Sequence, residues 1–163
     1  MERSQFVQSV GILGVSQGGV IAPIVGSKTS GLGFVVNVVG GAVPMHDQLL
    51  YEENHNLRQM GLLPGFSNAF AYLTTFVNRN IAASDFWSAI GNFDPLPFWR
   101  EVEVPTPVLY GDQDTNVPSC RNRDRLNALQ KDNLRVVVFE ESGHGLEAPA
   151  VLAVTTKERT LSS

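Results

Sequence analysis

Gly14-Val15-Ser16-Gln17-Gly18-Gly19 is the stretch whose reading decides the fold. An aliphatic run, Val7–Leu13, leads into it, and a segment of helical character, Gln17 to about Lys28, leaves it. A serine with glycines two before and two after it, at a strand-to-helix junction, has the form of a nucleophile elbow. The glycines let the backbones of strand and helix approach closely. The N–H of Gln17 then faces the reacting centre as an oxyanion donor, with the partial positive charge of the helix start behind it. Pro23 lies inside the helical segment and is expected to kink it, because it removes a backbone donor.

Working outward, three further runs read as strands: Phe34–Val39, Pro107–Tyr110 and Arg135–Phe139. They are short and lack strict alternation, the pattern of strands in a parallel sheet. The connection after the third holds a helix near Ser119–Lys131, and a last weak helix is expected over Pro149–Thr160. The connection Gly40–Pro105 is far longer than a crossover needs. Within it His46–Met60, Ser67–Asn80 and the shorter Ser84–Ile90 read as helices, with Gly61-Leu62-Leu63-Pro64-Gly65 as a break. Leu49, Leu50, Leu57 and Met60 fall near helical spacing, as do Phe66, Phe70, Leu73 and Val77. The expectation is a single domain over residues 1–163, carrying a helical cap insertion over 42–100. Phe86, Trp87, Phe93, Phe98 and Trp99 are either core or the wall of an apolar pocket.

Composition narrows the function classes. The chain has 163 residues, enough to bury a core without disulfides, and its single cysteine, Cys120, cannot form one internally. That fits a reducing, cytoplasmic setting. The balance of 12 Lys+Arg against 16 Asp+Glu, with no basic patch, argues against a nucleic-acid partner. No apolar run is long enough for a membrane span, and Met1-Glu2-Arg3-Ser4-Gln5 lacks the features of a secretory signal.

Two more motifs carry chemistry. Tyr110-Gly111-Asp112-Gln113-Asp114-Thr115-Asn116-Val117-Pro118 places two acids in a turn after the third strand, at the sheet edge where ligands gather. Ser142-Gly143-His144-Gly145-Leu146 places a histidine between glycines after the fourth. His46 and His55 have no comparable setting and read as polar surface residues. Serine, aspartate and histidine in that order, each after its own strand, are what a hydroxyl nucleophile requires: a base, and a group to orient the base. His144 is the candidate base for Ser16, and Asp114 the candidate orienting acid, with Asp112 the runner-up. The chemistry calls for no cofactor and no metal.

These motifs, with Ile21-Ala22-Pro23, Asp94-Pro95-Leu96-Pro97 and Gly143-His144-Gly145-Leu146, resemble the α/β-hydrolase family of the esterase, lipase and serine aminopeptidase type. The resemblance covers nearly the whole chain and is weakest across the insertion. It implies hydrolysis of carboxylic esters, or of thioesters or amides, and favours Asp114 over Asp112. The substrate expected is a small or medium acyl ester, bound against Leu62, Leu63, Phe66, Phe70, Phe86 and Trp87.

The resemblance is to the C-terminal half of such a hydrolase. The family's sheet has about eight strands with the elbow after the fifth; here it follows the first. The loop that supplies a second oxyanion donor has no counterpart before Ser16, although Gly40-Gly41 could approach the site. The expected fold is therefore a partial α/β-hydrolase sheet of about four parallel strands, with helices mainly on one face. Its first strand would be an open apolar edge, which implies a homo-oligomer, a dimer in the first instance. The alternative to a working esterase is a weakly active or inactive half-domain that serves as a binding or interaction module.

Overall fold

The computed structural model describes residues 8–80 and 90–147. Strand β1 (Gly11–Val15) is followed by α1 (Gln17–Lys28) and β2 (Phe34–Val38). Then come α2 (Met45–Gln59), α3 (Pro64–Asn80) and α4 (Leu96–Glu101). The chain continues with β3 (Thr106–Gly111), α5 (Ser119–Asn127) and β4 (Leu134–Phe139). The four strands form one parallel sheet in the order β1-β2-β3-β4. Sequential order with right-handed crossovers sends every connection to the same face. Accordingly α1 packs on β1, β2 and α4, and α5 on β4.

The covered face is the core. Side chains alternate along a strand, so Val35, Val108 and Tyr110 point to the helices and are fully buried. Ala42, Trp99, Val117 and Leu126 complete one cluster with Val108 and Tyr110, while Ala22, Val35 and Val102 form the other. The opposite face is apolar too, but open: Leu13 is 64% exposed and Val15 52%, with Phe34 and Phe139 also exposed. Continuous apolar strands thus arise here from a sheet with apolar residues on both faces and, among the described residues, helices on one.

Element bounds differ from expectation in instructive ways. The first strand lies over Gly11–Val15 rather than Val7–Leu13, running right up to Ser16; Val7 itself lies outside the described residues. Gly14 and Val15 extend the strand by pairing with Asn37 and Val38 of β2, and Gly14 lies directly on the carbonyl of Gly18, where a Cβ would sit 2.1 Å from that oxygen. The helix expected to reach Lys131 stops at Asn127. Leu129 and Gln130 close the turn through N–H bonds to Leu126 and Asn127 carbonyls, with Gln130 at φ 51, so the chain can re-enter the sheet at Leu134. Helix α1 continues as one element through Pro23. Ser84–Ala89, including Phe86 and Trp87, and the helix expected over Pro149–Thr160 lie outside the described residues.

Asn122 on α5 ties the segment after β2 to the rest. Its Oδ1 accepts the N–H groups of Ala42 (2.6 Å) and Val43 (2.8 Å), and all three residues are buried. Asn122→Ala leaves both amides without a partner, at roughly 1–3 kcal/mol each. Urea unfolding is expected to show that loss as a lower midpoint with an unchanged slope.

Candidate active site

Ser16 occupies the turn between β1 and α1 with φ 53 and ψ −117, a backbone conformation that non-glycine residues rarely adopt. Bonds on both sides hold it. Its N–H donates to Val38 O on β2 at 2.9 Å, and its carbonyl accepts from Gly19 N at 2.9 Å. The turn closes because Gly19 lies against Gly40: a Cβ on Gly19 would come within 2.6 Å of Gly40 Cα.

Three loops at the carboxyl ends of β1, β3 and β4 converge. His144 Nε2 lies 3.0 Å from Ser16 Oγ, and His144 Nδ1 lies 2.8 Å from Asp114 Oδ2. The Asp114 side chain is fully buried, whereas that of His144 is 29% exposed. Asp114 Oδ1 accepts the N–H groups of Asn116 (2.8 Å) and Val117 (2.9 Å), an Asx turn that fixes the carboxylate. Asp112, the other acid of the motif, has a different place: its Oδ1 accepts the N–H of Ser142 at 3.2 Å and so ties down the loop that carries His144. Gly111 lets that loop cross close above it, since a Cβ there would meet Ser142 O at 2.1 Å.

A cleft of about 420 Å³ opens at Ser16. Its walls come from α1 (Ile21, Ile24), α2 (Met45, Gln48, Leu49, Glu52) and Phe93, and both Gln17 and His144 reach it. Leu62, Leu63, Phe66 and Phe70, expected to bind substrate, are not in its walls. Helix α3 instead turns Ser67, Ala71 and Thr75 inward against α2 and leaves Phe66 (65%) and Phe70 (51%) exposed. Ser67 Oγ donates to Asn54 Oδ1, and Thr74 Oγ1 to Glu53, so small polar residues make this contact. Phe93 of the expected aromatic group does reach the cleft, whereas Trp99 is core. His46 and His55 are half-buried on α2, and neither lines the cleft. Among the described residues no cluster of three or more His, Cys, Asp or Glu is placed to hold a metal ion. No described helix is long and apolar enough to cross a membrane.

Gly40 is not available as an oxyanion donor. Its N–H is given to Asn37 Oδ1 at 2.9 Å, and its carbonyl accepts from Tyr110 Oη at 2.7 Å. Two tyrosines thus sit close to the site unforeseen. Tyr51 of α2 donates its phenol to the carbonyl of Asp114 at 2.8 Å, and Tyr110 lies fully buried under Gly40. Burial, then the charge of Asp114, raises both phenols above their ordinary range, Tyr110 the further.

Residues 1–160 match the model of the family described as BAAT / Acyl-CoA thioester hydrolase C terminal. The chain belongs to this family. Solved structures agree on the fold. The Pyrococcus furiosus esterase Pf2001 superposes with a TM-score of 0.55 at 18% identity, over 94% of this chain and 52% of the esterase. VinJ gives 0.54 at 15%, over 94% and 66%. A thioesterase domain from the curacin biosynthetic pathway gives 0.50 at 18%, over 94% and 67%. The family member described here therefore has an α/β-hydrolase fold in part, and spans about half the length of that esterase. No curated protein sequence matches it.

The buried phenol of Tyr110 makes an alkaline prediction. An unfolded tyrosine loses its proton near pH 10; folded Tyr110 keeps its proton well beyond that. Above about pH 10 the unfolded state therefore binds fewer protons, and stability falls as pH rises. Below that pH the contribution is fully present. Urea midpoints measured from pH 8 to 11 are expected to drop more steeply in the wild type than in Tyr110→Phe.

Proposed function

We propose that this chain is a serine hydrolase of acyl thioesters and carboxylic esters, working through an acyl-enzyme on Ser16. The single observation that carries the reading is the continuous chain of hydrogen-bonding contacts from Ser16 Oγ through His144 to buried Asp114, at 3.0 and 2.8 Å. Membership of the acyl-CoA thioester hydrolase family supports the thioester arm.

In this reading Asp114 accepts the proton-bearing Nδ1 of His144, which leaves Nε2 as the base. Ser16 Oγ attacks the acyl carbonyl while His144 Nε2 takes its proton. The carbonyl electrons move to the oxyanion, which meets the N–H of Gln17 at the start of α1. Collapse breaks the bond to sulfur or oxygen, and the leaving thiol or alcohol departs with the proton from Nε2. Water then repeats the sequence on the acyl-enzyme and releases the acid. Ile21, Ile24, Met45, Leu49 and Phe93 receive the acyl chain, under a cap formed by α2 and α3. Gly40 spends its N–H on Asn37, so the described site relies on the Gln17 donor. A missing second donor costs about 10²–10³ in rate.

The open sheet face favours a second reading, a weakly active half-domain that associates with another copy through the β1 edge. Light scattering at micromolar concentration separates the two: a monomer that turns over esters removes the second reading.

Three outcomes are expected with an acyl-CoA thioester and p-nitrophenyl esters as substrates. Ser16→Ala abolishes turnover and labelling by a fluorophosphonate; full activity in that variant sinks the assignment. Asp114→Asn lowers kcat by about 10⁴, whereas Asp112→Asn, which keeps an oxygen for Ser142, loses much less. Efficiency rises along the acyl series by about 0.8 kcal/mol per buried methylene until the cleft is full, then falls. A flat series from acetyl to palmitoyl contradicts a defined acyl pocket.

A further inference from the structure

Helix α1 carries a defect that another element repairs. In an α-helix the N–H of residue i bonds to the carbonyl of residue i−4. Residue 23 is proline, so the Gly19 carbonyl lacks the i+4 donor of a regular helix. Gly19 is buried, where a carbonyl without a partner is costly. The missing donor comes from β2: Asn37 Nδ2 lies 2.5 Å from Gly19 O. The other end of the same amide, Oδ1, accepts the N–H of Gly40 at 2.9 Å. Asn37 is itself completely buried, the one polar side chain on the helix-facing side of β2.

The place of this amide links it to Ser16. Asn37 pairs in register with Gly14, two residues before the serine. Gly19 donates its own N–H to the Ser16 carbonyl at 2.9 Å. One side chain therefore grips the first turn of α1, which bears Gln17, and the turn after β2 on which Gly19 rests. There is no room for a substitute from either glycine: a Cβ on Gly40 would come within 2.5 Å of Asn37 Nδ2 and 2.4 Å of the Gly19 carbonyl carbon. Aspartate would set a second oxygen against the Gly19 carbonyl. Alanine would strand both backbone groups.

We propose that Asn37 is a positioning residue for the chemistry of Ser16, replacing the helix bond that Pro23 removes and so holding Gln17 N–H and Ser16 in register. The proposal deepens the acyl-transfer reading above and rests on it.

A double-mutant cycle tests it. Asn37→Ser keeps a hydroxyl for the Gly40 N–H three residues on, but is too short to reach Gly19. Pro23→Ala restores an N–H opposite the Gly19 carbonyl. Asn37→Ser is expected to lower kcat about 10- to 100-fold with KM almost unchanged, well below its unfolding temperature. Adding Pro23→Ala is expected to recover most of that kcat, and urea midpoints of the four proteins are expected to be non-additive in the same sense. If Asn37→Ser does not fold, recovery of folding in the double variant supports the proposal and its failure overturns it. Wild-type kcat in Asn37→Ser, a change confined to KM, or additive effects in both readouts overturn it as well. A wild-type chain without turnover defeats the acyl-transfer reading and the positioning role of Asn37 in it together. Non-additive midpoints in that case still show that Asn37 replaces the Pro23 bond, so the two failures are told apart.

Discussion

The hydrogen bond from Ser16 N–H to the Val38 carbonyl is the constraint around which this half-sheet is arranged. A serine with positive φ is costly on its own. It persists because β2 holds the near side of the turn while Gly19, resting on Gly40, holds the far side. The same contact sets the height of α1 above the sheet, and α1 in turn presents Ile21 and Ile24 to the cleft. Backbone packed on backbone leaves few degrees of freedom where the serine sits.

Much of this was legible beforehand, for identifiable reasons. Gly14-Val15-Ser16-Gln17-Gly18-Gly19, Asp114 and His144 stand among glycines and turn residues, where backbone demands restrict what a sequence can contain. Four strands were marked by the apolar runs and their parallel sheet was implied by the family resemblance, and α1 was bounded correctly by its flanking motif. Asn37 was hidden because one asparagine in Phe-Val-Val-Asn-Val looks like an interruption rather than a connector. Its partners, the Gly19 carbonyl and Gly40 N–H, are backbone groups with no signature of their own.

The lining of the cleft was misread for a different reason. Helical periodicity marks a stripe but carries no sign for its direction. Phe66, Phe70 and Leu73 do form a stripe, and it points outward. The opposite stripe, Ser67, Ala71 and Thr75, is small enough to let α3 lie close to α2 and polar enough to bond there. A close approach with satisfied hydrogen bonds won over aromatic burial. Asp112 shows the same ambiguity on a smaller scale: two acids in one turn meet the same loop, one at the Ser142 backbone and one at the His144 ring, and only the three-dimensional arrangement distinguishes them.

The cleft is bounded by two helices held in different ways. Its floor, α1, is locked to the sheet through buried backbone. Its roof, α2, has no fully buried residue and leans on a neighbour whose greasy side faces away. The seam between α2 and α3 is held by side-chain hydrogen bonds, whereas the floor is held by backbone packed on backbone. The roof is also joined to the acid loop, through the phenol of Tyr51 on the Asp114 carbonyl, so a change in α2 is felt at the residue that orients His144.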